Sequence, residues 1–114
     1  MIYVASPYSH SNRETQRERF LDVRAIVAHY LSRTQQPVFS PILYAHELAS
    51  EYDMATDAAS WTRFNNGMLR IASQLWVVRI KGWDTSKGVT QEIELARQLS
   101  IPTYYLDANG VFVP

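Results

Sequence analysis

Cysteine is absent from the 114 residues, which removes disulfide staples and fits a reducing, cytoplasmic compartment. The 3 histidines have no carboxylates at metal-ligand spacing, so no metal site is expected. No Walker-type or dinucleotide-type glycine pattern occurs, which removes ATP and NAD and leaves no cofactor expected. Neither sign of charge is in excess. Lys plus Arg and Asp plus Glu number 11 each, whereas a protein that tracks a polymeric nucleic acid carries a basic surplus. Any nucleotide ligand is therefore expected to be small. No apolar run approaches the roughly 20 residues that span a bilayer, so no membrane association is expected. The opening Met1-Ile2-Tyr3-Val4-Ala5 is short and has no basic flank, unlike a signal peptide. Internal repeats, low-complexity segments and linkers are also missing.

What is present is an ordinary globular balance. With 46 % hydrophobic and 19 % charged residues, the chain supplies apolar surface for one core, so residues 1–114 are expected to form one domain. Residues 1–5 read as a short buried strand closed by Ser6-Pro7. Ser11 with Glu14 suggests a capping box, and Phe20, Val23, Val27, Tyr30 and Leu31 recur at helical spacing between about Asn12 and Arg33. Val38-Phe39-Ser40 is a second strand ending at Pro41. A helix from about Tyr44 to Ser50 follows, then a polar stretch through Ala59. Trp61, Phe64, Met68, Leu69 and Ala72 mark a third helix. Leu75 to Ile80 is the clearest strand, and Lys81 to Lys87 a loop. Val89, Ile93, Ala96 and Leu99 line one side of a fourth helix. Pro102 to Leu106 is the last strand, and Asn109-Gly110 turns into an apolar tail.

Strands alternating with helices predict an α/β domain with a doubly wound, mostly parallel sheet of four or five strands, flavodoxin-like or Rossmann-like. Such sheets bind ligands where loops leave the carboxyl ends of strands. Three segments meet that condition: Ser6 to Asn12, Ser40 to His46, and Lys81 to Gly88.

The most informative stretch runs from Gly82 to Ala96. Ser86 and Gly88 couple a strand end to a helix start, where free amides and a hydroxyl make a natural anion site. Glu92 lies in the early turns of that helix, on the side of Gly88 and Ala96. The helix dipole is expected to keep its carboxylate ionised, and the small residues one turn away to leave room for a sugar. By itself, a glutamate there is more often a charge placed for helix stability.

The pattern Ser86, Gly88, Glu92, Ala96 resembles the nucleoside 2-deoxyribosyltransferase superfamily. Ile2-Tyr3-Val4-Ala5-Ser6-Pro7-Tyr8 is similar to its first strand and substrate loop. Phe39-Ser40-Pro41-Ile42 with His46, and Leu75-Trp76-Val77-Val78 with Gly82-Trp83, resemble a small bacterial and phage branch of it. The resemblance covers nearly the whole chain in order. It implies cleavage or transfer at the N-glycosidic bond of a (deoxy)nucleoside or nucleoside 5'-monophosphate, with Glu92 attacking the anomeric carbon. It also implies a phosphate contact at Ser86.

Two departures from the family pattern stand out. The first loop, Ser6-Pro7-Tyr8-Ser9-His10, has no glycines, which argues against a monophosphate. Arg13 would restore an anion contact, although it also reads as a surface-helix arginine. Asn65 stands where the superfamily carries an aspartate that positions or protonates the leaving base, and an amide cannot donate that proton. Asp84 is the nearest substitute, with a turn residue as its alternative reading. Among the aromatics Tyr3, Tyr8, Trp61 and Trp83 are candidates to stack on a base. Tyr8 and Trp83, on site loops, are favoured, and Trp61 fits a core position better. His46 either contacts ligand or packs near Pro41. The expected partners are a small nucleoside or nucleotide and a second copy of the chain in a homo-oligomer, motivated by the apolar Trp61, Phe64 and Met68. A nucleotide-binding or sensing module of the same fold with weak catalysis is the alternative function.

Overall fold

The computed structural model describes residues 1–52 and 58–114. Within them lie five strands and four helices. The strand β1 (Ile2–Ala5) is buried along its whole length, because it is flanked on both edges and covered on both faces. It pairs in parallel with β2 (Val38–Phe39) and with β3 (Gln74–Val78). On the far side of β3 lies parallel β4 (Thr103–Leu106), and β5 (Phe112–Val113) pairs antiparallel with β4. The order is therefore β2-β1-β3-β4-β5.

The alternation of side chains along the strands divides the core in two. Ile2, Val4, Trp76, Val78 and Leu106 face one way. Against them α1 (Arg13–Leu31) buries Phe20, Val23, Ile26 and Val27, and α2 (Pro41–Glu51) adds Ile42. Tyr3, Ala5, Leu75 and Val77 face the other way, under Leu69 of α3 (Ala58–Arg70) and Val89 and Ala96 of α4 (Lys87–Gln98). The sheet is thus covered on both sides, as a buried parallel sheet requires. No helix among the described residues is long and apolar enough to cross a membrane.

Local chemistry moves several expected boundaries. The cap of α1 is Asn12, whose side chain accepts from Glu14 N at 2.8 Å and Thr15 N at 3.4 Å. Ser11 lies one residue too early for the expected capping box, leaving Glu14 second in the helix rather than third. Helix α2 starts at Pro41, three residues before Tyr44, because Ser40 caps it through Leu43 N at 3.3 Å. Proline suits that first position, having no N–H to leave unsatisfied. The polar stretch expected between α2 and α3 falls largely at residues 53–57, outside the described residues. The apolar tail becomes an edge strand through the turn at Asp107, whose Oδ1 accepts from Asn109 N and Val111 N. That turn needs Gly110: its φ is +81°, and a Cβ there would lie 3.1 Å from Ile26 Cγ1.

Candidate active site

The sheet order turns at β1 and β3. From β1 the chain continues to a neighbour on one side, and from β2 it crosses to the other, leaving a crevice at the strands' carboxyl ends. A cavity of about 440 Å³ opens there. The segment after β1 contributes Ser6, Tyr8 and Ser9, and α2 contributes Pro41, Ile42, Ala45 and Ala49. From α3 come Trp61 and Asn65, Thr85 and Ser86 come from the turn before α4, and Lys87, Gly88 and Glu92 from α4 itself.

Glu92 is the one carboxylate among the described residues lining this cavity. It is 9 % exposed. Tyr3, fully buried in β1, donates its hydroxyl to Glu92 Oε2 across 89 positions of sequence. Ser86 caps α4 by accepting from Val89 N at 3.2 Å, so Glu92 is in the second turn of a helix beginning at Lys87. The dipole's influence fades within the first turn, whereas desolvation acts at full strength. Burial pushes the Glu92 carboxyl up to about 7, with the Tyr3 hydrogen bond pulling the other way. Burial therefore opposes the expected ionisation, raising the affinity of this carboxylate for a proton. Tyr3 titrates far above its ordinary range, held there by burial first and by the Glu92 charge next.

Two further polar atoms in the cavity wall are buried without a hydrogen-bond partner among the described residues: Ser6 Oγ and Asn65 Oδ1. Buried polar groups are normally satisfied, and a ligand's polar groups are a natural complement for such orphans.

The structure brings Glu92, Asn65, Ser6, Tyr8, Ser86 and Gly88 together around the cavity. It sends other predicted residues elsewhere. Tyr3 has no exposed surface and touches the site only through Glu92, so it does not stack on a ligand. Pro7 is buried in the fold. His46 stacks on Phe20 at 4.2 Å and shares a hydrogen bond between its Nδ1 and the Tyr8 hydroxyl, supporting the cavity wall from behind. Trp83 packs beside Tyr105, 5.0 Å from the Arg79 guanidinium, outside the lining. Asp84 is exposed and does not line the cavity. Of the small residues flanking Glu92, Gly88 lines the cavity, but Ala96 is buried in the core and leaves no space for a sugar. Trp61, expected in the core, lines the cavity instead. Lys87, the first residue of α4, supplies a cation at the rim that no sequence pattern indicated.

A family model described as a domain of unknown function (DUF1937) matches residues 1–106. The chain belongs to the DUF1937 family. No curated protein matches it. In this DUF1937 chain every residue lining the cavity falls within the matched stretch.

Proposed function

We propose that this protein breaks the N-glycosidic bond of a (deoxy)nucleoside or nucleoside 5'-monophosphate through a covalent glycosyl-Glu92 intermediate, on a flavodoxin-like member of the nucleoside 2-deoxyribosyltransferase superfamily. The observation that carries this reading is a buried Glu92 lining the cavity, with one carboxylate oxygen held by Tyr3. The ionised carboxylate attacks the anomeric carbon, the C–N bond breaks, and its electron pair leaves with the base. Water or the N–H of a second base then attacks the same carbon and releases the carboxylate, and the proton lost by the attacker passes to the departed base. Tyr3 favours the attacking, ionised form by donating to it. Asn65 and Ser6 offer hydrogen bonds that orient the ligand, and Asn65 supplies no proton.

The deciding experiment incubates the protein with a panel of nucleosides and 5'-monophosphates and measures released base by chromatography. A 2'-fluoro nucleoside with a good leaving group should leave its sugar on the Glu92 peptide, read by mass spectrometry. An adduct on Glu94, or full turnover in Glu92→Gln, would overturn the assignment.

A second reading, a nucleotide-binding or sensing module with weak catalysis, is favoured by the amide at Asn65 and by the burial that raises the proton affinity of Glu92. Ligand binding without base release in the same panel would select it. The first reading carries with it a cytoplasmic location and a homo-oligomer. For the oligomer the relevant surface is Tyr44 and Phe64, stacked at 5.2 Å with exposures of 51 % and 39 %. Met68 packs on the core instead.

A further inference from the structure

We propose that Arg19 is a positioning residue that fixes the separation of the two loops framing the cavity. It sits on α1, half-buried, and no carboxylate among the described residues pairs with it. Its guanidinium is spent on backbone carbonyls instead. Nη1 donates to Ser9 O at 3.1 Å and Tyr8 O at 3.4 Å, and Nη2 donates to Lys81 O at 3.4 Å. Tyr8 and Ser9 form one wall of the cavity. Lys81 opens the turn that leads to the opposite wall at Thr85 and Ser86.

The turn transmits the constraint. Trp83 N donates to Ile80 O at 3.1 Å, and Thr85 N and Thr85 Oγ1 both donate to Gly82 O at 3.3 Å. Holding Lys81 therefore holds the approach to Ser86, the cap of the helix that carries Glu92. Gly82 lies against the same guanidinium. Its φ is +94°, and a Cβ at that position would lie 2.5 Å from Arg19 Nη2. The guanidinium occupies the space that any other residue's side chain would take. A planar fork with donors on both arms suits this bridge across 62 positions of sequence, and the single compact ammonium of lysine does not.

The functional part of this inference rests on the cavity being the site of glycoside cleavage, and the structural part does not. The test compares wild type with Arg19→Lys, Arg19→Gln and Gly82→Ala by amide hydrogen exchange, and by steady-state kinetics on whichever nucleoside the wild type cleaves. Residues 6–12 and 81–86 should both exchange about tenfold faster or more in all three variants, the scale expected for losing a charge-assisted hydrogen bond, with β1 and β3 unchanged. KM should rise by about tenfold with kcat within about threefold of wild type, since the chemistry at Glu92 is intact. Acceleration in only one loop, acceleration spread over the whole sheet, wild-type behaviour of Arg19→Lys, or a fall in kcat at constant KM would each overturn the proposal. A wild type that cleaves no nucleoside would sink the proposed function and leave the exchange result to decide the bridge.

Discussion

Replacing Glu92 with glutamine should make the protein more stable at neutral pH while removing its activity. Burial moves the carboxyl from its ordinary 4.5 to about 7 in the folded state. Between those values the native protein holds a proton that the unfolded chain has released. Stability therefore falls as pH rises through that window, and it is highest, as far as Glu92 is concerned, below about 4.5. At about 1.4 kcal/mol per pH unit the penalty reaches about 3 kcal/mol above pH 7. Glutamine carries no charge to desolvate, and its amide oxygen can still accept from the Tyr3 hydroxyl. Glu92→Gln should accordingly match wild type near pH 4.5 and exceed it by up to about 3 kcal/mol at pH 8, or roughly 10 °C in Tm for a domain of this size. His46 titrates with the opposite sense. Burial first and Arg17 next lower its affinity for a proton, against Glu47, so its contribution is present above about 6.5 and lost as pH falls through its lowered folded-state value. It is common to both proteins, and the difference between them isolates Glu92. Urea unfolding of the pair at pH 4.5, 6 and 8 measures this directly, alongside base release. A wild type that gains on Glu92→Gln as pH rises would refute burial as the dominant influence on this carboxyl. A variant that is destabilised by a constant amount at every pH would show that the side chain matters for packing alone.

Three other outcomes are expected. Tyr3→Phe removes the hydrogen bond that favours the ionised form, so the acidic limb of the pH–rate profile should move above about 7 and turnover at neutral pH should fall severalfold, recovering at higher pH; an unmoved limb would show that Tyr3 does not act on Glu92. Asn65→Asp restores a group able to donate a proton and should preserve or raise kcat on ordinary purine or pyrimidine nucleosides, whereas loss of binding together with turnover, seen by calorimetry and kinetics, would make the amide a recognition element. Sedimentation at micromolar concentration should show a homo-oligomer that Tyr44→Glu or Phe64→Glu weakens by at least tenfold, since a charge would be buried in the contact; a monomeric wild type would contradict it.

The sequence alone determined the alternation of strands and helices, because buried strands and amphipathic helices announce themselves through local periodicity. It also placed Glu92 and Gly88 on one side of a helix, since residues four apart share a face. The same spacing misassigned Ala96, which continues that side into the core. Periodicity identifies an apolar position and not the neighbour that covers it. Trp61 and Trp83 are both aromatic residues near site segments, yet the first lines the cavity and the second lies against Arg79 and Tyr105. Asp84 is close to Ser86 in sequence and turned to solvent in space. The antiparallel β5 depends on a turn whose glycine lies against Ile26 of α1, a contact across the fold. The ionisation of Glu92 was beyond local reading for the same reason. Its helix position predicts a charged group, but its proton affinity is governed by how completely β1 and the cavity walls exclude water. The controlling hydroxyl arrives from Tyr3, 89 residues away, and only the tertiary packing brings the two together.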